Sequence, residues 1–352
     1  MAEPTVCQSV WVRSLNEICR LLNEIARTIS AEPGYKQIRV NPCNLWLIKM
    51  NPNFEGAADA IVNGDVATLV RLLDEEPQLI HQRSTREHRC TLLHYVGANG
   101  VEGYRQKSPP NAVELAELLL ERGAEVDALT GDNIGSGTTL GLVATSVHTY
   151  RAGVQISLLE TLLKRGASVD GSPGQWNPLL AALHNDRPES AKFLAEHGAK
   201  LDLEGAAGVG DLEVVKSFFN DDGTLKPEAT KRQLEEGFIW ACEYGRMDVV
   251  KFLLDKGVDL STGAGTDQTA LHLAAHRGQL EIIKLLLDRG APLEVFNCYG
   301  GTVLDQALWS AHNGEPDIDF APVMELLLAA GAKPDVYPGM KEEIEKIIGR
   351  AL

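Results

Sequence analysis

The chain has 352 residues, of which 44% are hydrophobic and 23% are charged, as in a soluble globular protein. No run of about 18 uncharged apolar residues exists to span a bilayer, so the sequence excludes a transmembrane protein. The net charge of −16 would repel nucleic-acid phosphates and anionic membrane surfaces, and we expect neither as a partner. Because the N terminus lacks the basic cluster and apolar core of a secretory signal, we expect a cytoplasmic protein.

The first 53 residues differ in charge from the rest of the chain. They carry six basic and four acidic side chains, whereas the other residues carry 27 basic and 45 acidic ones, a net charge of −18. Apolar residues from Trp11 to Ile29 recur at spacings of three and four, which predicts an amphipathic helix over residues 9–30. Residues 1–53 are therefore interpreted as a helix and strap that dock on the acidic remainder. A self-paired coiled coil is the alternative.

A leucine-rich phrase that ends in glycine recurs along the rest of the chain. Clear copies are IKLLLDRGAPLE at 283–294 and MELLLAAGAKPD at 324–335. Each copy predicts an apolar helix stopped by a left-handed glycine, and the underlying period is about 33 residues. Units of this size cannot bury their apolar face alone, so a stacked solenoid is predicted rather than separate globular domains. The predicted closing glycines are Gly123, Gly166, Gly198, Gly223, Gly257, Gly290 and Gly331.

Residues 269–291, TALHLAAHRGQLEIIKLLLDRGA, resemble the ankyrin-repeat family, whose pattern T-P-L-H-x-A-A-x-x-G precedes a leucine-rich helix. The resemblance implies an all-α ankyrin-repeat solenoid over residues 54–336, with about eight helix-turn-helix repeats and short hairpin connections. Residues 337–352 are predicted to form a C-terminal capping helix. The run STREHRCTLLHYVGANGVEGYRQKSPPNAVE at 84–114 resembles a bacterial subgroup of ankyrin-repeat proteins to which no activity is assigned. Weaker copies of the pattern begin at Gly56, Thr91, Thr138, Asn177, Ala206, Glu236 and Thr302.

The remaining motifs favour neither metal binding nor catalysis. His272 and His276 lie four residues apart, but the family pattern gives His272 a structural role and no third ligand is near in sequence. The glycine-rich stretches at 131–141 and 205–210 lack the lysine of a phosphate-binding loop and coincide with turns between repeats. We therefore expect no catalytic residue, no bound metal and no cofactor.

In the ankyrin pattern, the two variable positions before the glycine of A-A-x-x-G face the concave groove together with the hairpin tips. Aromatic, arginine and histidine side chains at such positions favour binding, because they combine a large contact area with directed polar groups. For Trp176 and Trp309, packing between repeats is the alternative. The binding residues implied by the resemblance are Asn99, Thr145, Trp176, His184, Asn185, Glu243, Tyr244, His276, Arg277 and Trp309.

Three insertions separate the two helices of a repeat, at 101–111, 148–154 and 312–320. Unusually long connections in a compact scaffold are more often functional than accidental. The first insertion contains Tyr104 and Arg105, in the one locally basic and aromatic loop of the acidic body. Two interpretations stay open for it, a solvated loop or a second contact surface made by these two residues.

These observations favour a noncatalytic protein-binding scaffold. Its concave groove would hold a basic or extended segment of a protein partner that complements the acidic solenoid. In a regulated version, the N-terminal helix, which carries Arg13, Arg20 and Arg27, covers that groove as a lid.

The alternative function is a small-molecule-binding protein or an enzyme. The N-terminal helix and the insertions would then close a pocket around His184, Glu243, Tyr244 and His276. Such chemistry requires that the four side chains converge, and side chains separated by a repeat or more in an open groove would argue against it.

Overall fold

The computed structural model describes residues 51–131, 137–314, 318–334 and 338–349. The predicted helix over residues 9–30 and the strap after it lie outside these ranges. Helices dominate the described residues, with very little strand, and form successive pairs, so the predicted all-α repeat architecture is confirmed. Within the same ranges, no helix is long and apolar enough to cross a membrane.

Eight helix pairs follow one another along the described chain, and the first helix of the second pair is a 3₁₀ helix. In chain order the pairs are α1 (Pro52–Asn63) and α2 (Val66–Glu75), the 3₁₀ helix Leu92–Gly97 and α3 (Ala112–Glu121), α4 (Thr139–Thr145) and α6 (Gln155–Lys164), α7 (Pro178–His184) and α8 (Pro188–Glu196), α9 (Leu203–Val209) and α10 (Leu212–Ser217), α11 (Lys231–Glu243) and α12 (Met247–Asp255), α13 (Ala270–His276) and α14 (Leu280–Asp288), and α15 (Val303–Asn313) and α16 (Ala321–Ala329). We number the repeats 1 to 8 in this order.

Shorter elements complete the described chain. Two further 3₁₀ helices, Pro77–His81 and Gly103–Arg105, and the short helix α5 (Val147–Arg151) lie between the paired helices. Strands β1 (Gly263–Ala264) and β2 (Gln268–Thr269) form an antiparallel hairpin in which Gly263 pairs with Thr269. The last helix, α17 (Met340–Ile348), packs against α16 and buries Met340 and Ile344.

The second helix of each of seven repeats is followed by the glycine that the sequence singled out. All seven predicted closing glycines have positive φ angles, from 79° at Gly257 to 102° at Gly331. Side chains are strained in this left-handed conformation, which is why glycine recurs there and the chain can turn into the next connection.

Acidic residues at the end of the repeated phrase join neighbouring repeats. The carboxylate of Asp127 accepts a hydrogen bond from the backbone N–H of Ser168 at 3.0 Å, and Asp170 accepts one from Lys200 at 2.8 Å. These bonds run from one connection to the next and hold the repeats in register.

The histidines of the T-P-L-H pattern are structural. The Nδ1 atom of His272 accepts a hydrogen bond from the backbone N–H of Thr269 at 3.2 Å, which closes the N-terminal cap of α13. His94 makes the same bond to Thr91 at 3.0 Å, and its Nε2 lies 2.9 Å from the carbonyl oxygen of Ala128. Burial lowers the pKa of His94 to about 4, so this ring is neutral at physiological pH. The structural role predicted for His272 is confirmed.

The hydrophobic core is divided between repeats 4 and 5. One cluster of buried side chains runs from Phe54 to Ala199, and the other from Leu203 to Ile344. Trp240 is the exception, because it belongs to α11 in repeat 6 yet packs in the first cluster. This tryptophan therefore joins the two halves of the solenoid from its inner side.

The first insertion is an ion-pair cluster rather than a solvated loop. Arg105 is only 2% exposed, and its guanidinium contacts Asp59 at 2.7 Å, Glu55 at 2.8 Å and Glu102 at 3.1 Å. Burial disfavours the charge of Glu102, but the adjacent His88 ring and the guanidinium groups of Arg105 and Arg86 hold the pKa of Glu102 at about 2. The prediction of Arg105 as an exposed contact is therefore wrong, since its charge is satisfied inside the fold.

Candidate functional site

A groove of about 940 Å³ lies along the inner side of repeats 4 to 8. Its lining residues come largely from the first helices of their repeats, α7, α11, α13 and α15. Others belong to the connection before α15. The sequence-predicted residues that line it are His184, Glu243, Tyr244, His276 and Trp309. Five of the ten residues predicted for the groove therefore line one cavity, and their role in binding stays a prediction.

Other predicted binding residues lie elsewhere. Asn99 donates a hydrogen bond to the hydroxyl of Thr145 at 2.8 Å, and together they join repeats 2 and 3. Asn185 donates to the carbonyl oxygen of Ala181 within its own repeat, at 2.8 Å. None of these side chains lines the groove.

The two predicted tryptophans are both exposed, which argues against packing between repeats. Trp309 is 54% exposed and its ring lies 5.9 Å from that of His276 inside the groove. Trp176 is 66% exposed and lines a smaller adjoining cavity of about 490 Å³. The ring of His184 lies 5.9 Å from Trp176 and 4.6 Å from Trp240, so an aromatic row connects the two cavities.

A glycine in repeat 5 explains how side chains from repeats 4 and 6 reach one groove. A Cβ atom on Gly208 would lie 2.6 Å from the Leu183 side chain and 3.3 Å from Trp240, so no side chain fits there. Across this gap, the hydroxyl of Tyr244 donates a hydrogen bond to the carbonyl oxygen of Leu183 at 2.5 Å. The missing side chain of repeat 5 thus lets α7 and α11 meet.

A second contact ties repeat 7 to repeat 4. The guanidinium of Arg277 forms an ion pair with Asp186, lies 6.0 Å from the ring centre of Tyr244, and places its Nε 3.9 Å from Glu243. Asp186 occupies the glycine position of the pattern and has a φ angle of 61°, which is uncommon for a residue with a side chain. Arg277, predicted as a binding residue, therefore shapes the groove from its edge.

The groove carries an acidic and aromatic lining. Asp186, Glu236, Glu243 and Asp305 supply the carboxyl groups, and the large rings are those of Trp240, Tyr244, Tyr299 and Trp309. Carboxylates with aromatic faces attract cations, since both the negative charge and the ring quadrupole favour a positive group.

Burial favours the protonated form of two carboxyl groups, one in the groove and one in the adjoining cavity. It raises the pKa of Glu243 to about 8. Burial, together with the neighbouring charge and hydrogen bond of Glu236, also raises the pKa of Glu204. The pKa of His184 is lowered because its ring is partly buried.

Two groups that could act in catalysis are engaged in structural bonds. Tyr244 donates its hydroxyl proton to Leu183. Ser310 lies 2.8 Å from Nδ1 of His276, but its hydroxyl donates to the carbonyl oxygen of Gln306 at 2.8 Å, and the residue is 1% exposed. A serine held in this way is not positioned as a nucleophile.

Trp240 and Asp186 were not predicted as groove residues. Trp240 lies one helical turn before Tyr244, so the helix period was the signal that placed it on the same face. The signal for Asp186 in the sequence was its departure from the repeat pattern, because an aspartate stands where neighbouring repeats have glycine.

Replacing Glu243 by glutamine should change the pH dependence of stability. The folded-state pKa of about 8 exceeds the ordinary value of 4.5, so the proton-linked stability is fully present below pH 4.5. It is lost as the pH rises toward 8, and we expect Glu243→Gln to avoid a loss on the order of a few kcal/mol. Urea unfolding of both proteins at pH 5 and pH 8 measures this difference.

The exposed Glu117 on α3 offers a matched control. The variant Glu117→Gln should follow the wild-type pH profile. Parallel profiles for Glu243→Gln and the wild type would contradict the buried, protonated state of Glu243.

A family model agrees with the repeat pattern over residues 203–337. The family model for ankyrin repeats (three copies) matches residues 203–297 and 238–337, which include most of the groove. Among solved structures, the human ASB11 ankyrin repeat domain is similar, with 24% identity over 81% of this chain and 99% of that chain and a TM-score of 0.41. No curated protein sequence matches the chain significantly.

Proposed function

We propose that this ankyrin-repeat protein is a noncatalytic scaffold that holds a basic, extended segment of a partner protein in the groove of repeats 4 to 8. Ankyrin repeats are generally protein–protein interaction modules. The observation that carries the finer proposal is the convergence of four carboxyl groups and several aromatic rings on one groove. Complementary charge gives such a surface its specificity and speeds association.

Selection from a displayed library of random peptides tests this proposal. We expect the full chain to enrich sequences rich in basic residues, and the enrichment to weaken at high salt because charge attraction is screened. The variant Trp309→Ala should capture far fewer of these peptides, since Trp309 is an exposed ring of the groove. Enrichment of acidic sequences, or equal capture by the variant, would contradict the proposal.

The N-terminal segment would regulate access to this groove. Residues 1–50 lie outside the described ranges, and the proposal rests on their basic charge and on the acidity of the remaining chain. Deleting residues 1–50 should raise the affinity for the selected peptides, measured by fluorescence anisotropy. Unchanged affinity, or unfolding of the repeats, would instead indicate a structural cap.

One observation favours the second candidate, a small-molecule-binding protein or an enzyme. His184, Glu243, Tyr244 and His276 line a single groove, although they belong to three repeats. Mass spectrometry of the native protein would separate the two functions. A stoichiometric small molecule would favour the second candidate, whereas a copurified protein partner would favour the scaffold.

A further inference from the structure

One guanidinium group of the chain itself lies at the edge of the groove. Arg277 pairs with the carboxylate of Asp186 and lies against the ring of Tyr244. This arrangement uses a carboxylate and an aromatic face together, the two contacts that a planar guanidinium makes best. The same two kinds of group continue along the groove beyond Arg277.

Glu243 is an acceptor that this internal contact does not satisfy. Its side chain is 10% exposed and lines the groove, and its ion pair with Arg277 is long, at 3.9 Å. Within the described ranges, no hydrogen bond reaches its carboxylate. Burial without a close partner is unfavourable for a charged carboxylate, and the raised pKa of Glu243 agrees with that. A cationic hydrogen-bond donor from a ligand would stabilise the ionised carboxylate, so binding would be coupled to loss of the Glu243 proton.

A second carboxylate oxygen in the groove lacks a partner. Asp305 uses Oδ2 to accept hydrogen bonds from the backbone and hydroxyl of Thr302, at 2.7 and 2.9 Å. Its Oδ1 atom is buried and has no hydrogen-bond partner among the described residues. The exposed ring of Trp309 lies on the same helix, one turn further on. Acceptors and an exposed ring therefore follow one another along the groove, on α11 of repeat 6 and α15 of repeat 8.

We infer that the groove recognises arginine side chains of an extended partner segment: one guanidinium binds Glu243 in repeat 6, and the segment continues along the groove to pack on the exposed ring of Trp309 in repeat 8. This inference rests on the proposed function and names the side chain that the groove selects. A guanidinium fits better than an ammonium group because it is planar, stacks on aromatic rings and donates several hydrogen bonds in one plane. Lysine binds more weakly in the same place.

Three matched peptide probes test the inference on the full chain. Fluorescein-labelled glycine–serine peptides would carry arginine, lysine or citrulline at the same positions, and binding would be measured by anisotropy. Citrulline keeps the shape of arginine but is neutral. We expect the arginine probe to bind about tenfold to a hundredfold more tightly than the citrulline probe, since a charged hydrogen-bond partner is lost.

Two variants localise the contact. Glu243→Gln should weaken binding of the arginine probe by that same factor and leave binding of the citrulline probe unchanged. Trp309→Ala, at an exposed position, should weaken the binding of both probes. The control Glu117→Gln removes one carboxylate outside the groove and should bind as the wild type does.

The outcomes separate this inference from the proposed function. Equal binding of arginine and citrulline probes, or full binding by Glu243→Gln, overturns the inference. If none of the probes binds while arginine-free peptides from the displayed library do, the guanidinium site is wrong and the scaffold stands. If no displayed peptide is captured at all, both proposals fail.

Discussion

Replacing Arg105 by methionine is expected to lower the free energy of unfolding by about 3 kcal/mol, since it removes one partner of a buried charge cluster and leaves Arg86 alone beside Glu55 and Glu102. The guanidinium of Arg105 contacts three carboxylates, of which Glu55 and Glu102 are mostly buried. Methionine keeps much of the aliphatic volume beside Tyr95, whose ring centre lies 5.7 Å from the guanidinium carbon. The loss would therefore reflect charge rather than a cavity.

Urea unfolding and hydrogen exchange measure this effect. In a repeat protein, each unit contacts mainly its neighbours, so the faster exchange should be concentrated in repeats 1 and 2.

A surface arginine supplies the control. Arg122 contacts Asp74 at 2.6 Å, but both side chains are substantially exposed, and such pairs contribute at most about 1 kcal/mol. Arg122→Met should therefore be nearly neutral. If Arg105→Met were equally neutral, the ion-pair cluster would not stabilise the fold.

The second large effect is expected from the aromatic residues of the groove. Replacing both Tyr299 and Trp309 by alanine should weaken partner binding by a factor of about 100 or more, as truncation of aromatic anchors commonly does. These rings are 77% and 54% exposed, so the free energy of unfolding should change by only about 0.5 kcal/mol. Anisotropy with selected peptides, together with urea unfolding, checks both halves of the expectation.

Two further variants, at Phe296 and Tyr244, serve as controls for that result. Phe296 is 55% exposed on the connection that bears Tyr299 but does not line the groove, so Phe296→Ala should leave binding unchanged. Tyr244→Phe removes the hydrogen bond to Leu183 and should cost about 1 kcal/mol of stability. Equal loss of binding in Phe296→Ala and the double variant would show that the groove is not the binding surface.

Several elements were predictable because their cause is local. The closing glycines follow from the left-handed turn at the end of each second helix, and the caps at Thr91 and Thr269 follow from residues three positions apart. The concave positions His184, Glu243, Tyr244, His276 and Trp309 follow from the same repeat pattern, because helix periodicity decides which face a residue occupies.

The placement of Arg105 was not predictable in this way. A basic residue beside a tyrosine in a long connection is typical of a solvated loop, yet Glu55 and Asp59 lie more than 40 residues earlier in the sequence. Only the packing of repeat 1 against repeat 2 brings these carboxylates to its guanidinium. The same packing leaves Tyr104 64% exposed, so its role in a second contact surface stays a prediction.

By itself, the sequence determined the helix-pair architecture and the number of repeats. These properties depend on residues within one repeating unit, where spacing and glycine positions specify the backbone. The tertiary structure decided that repeats 4 and 6 meet across Gly208 and that Arg277 of repeat 7 reaches Asp186 of repeat 4. Those contacts join residues from repeats that are not neighbours, so no periodic pattern encodes them.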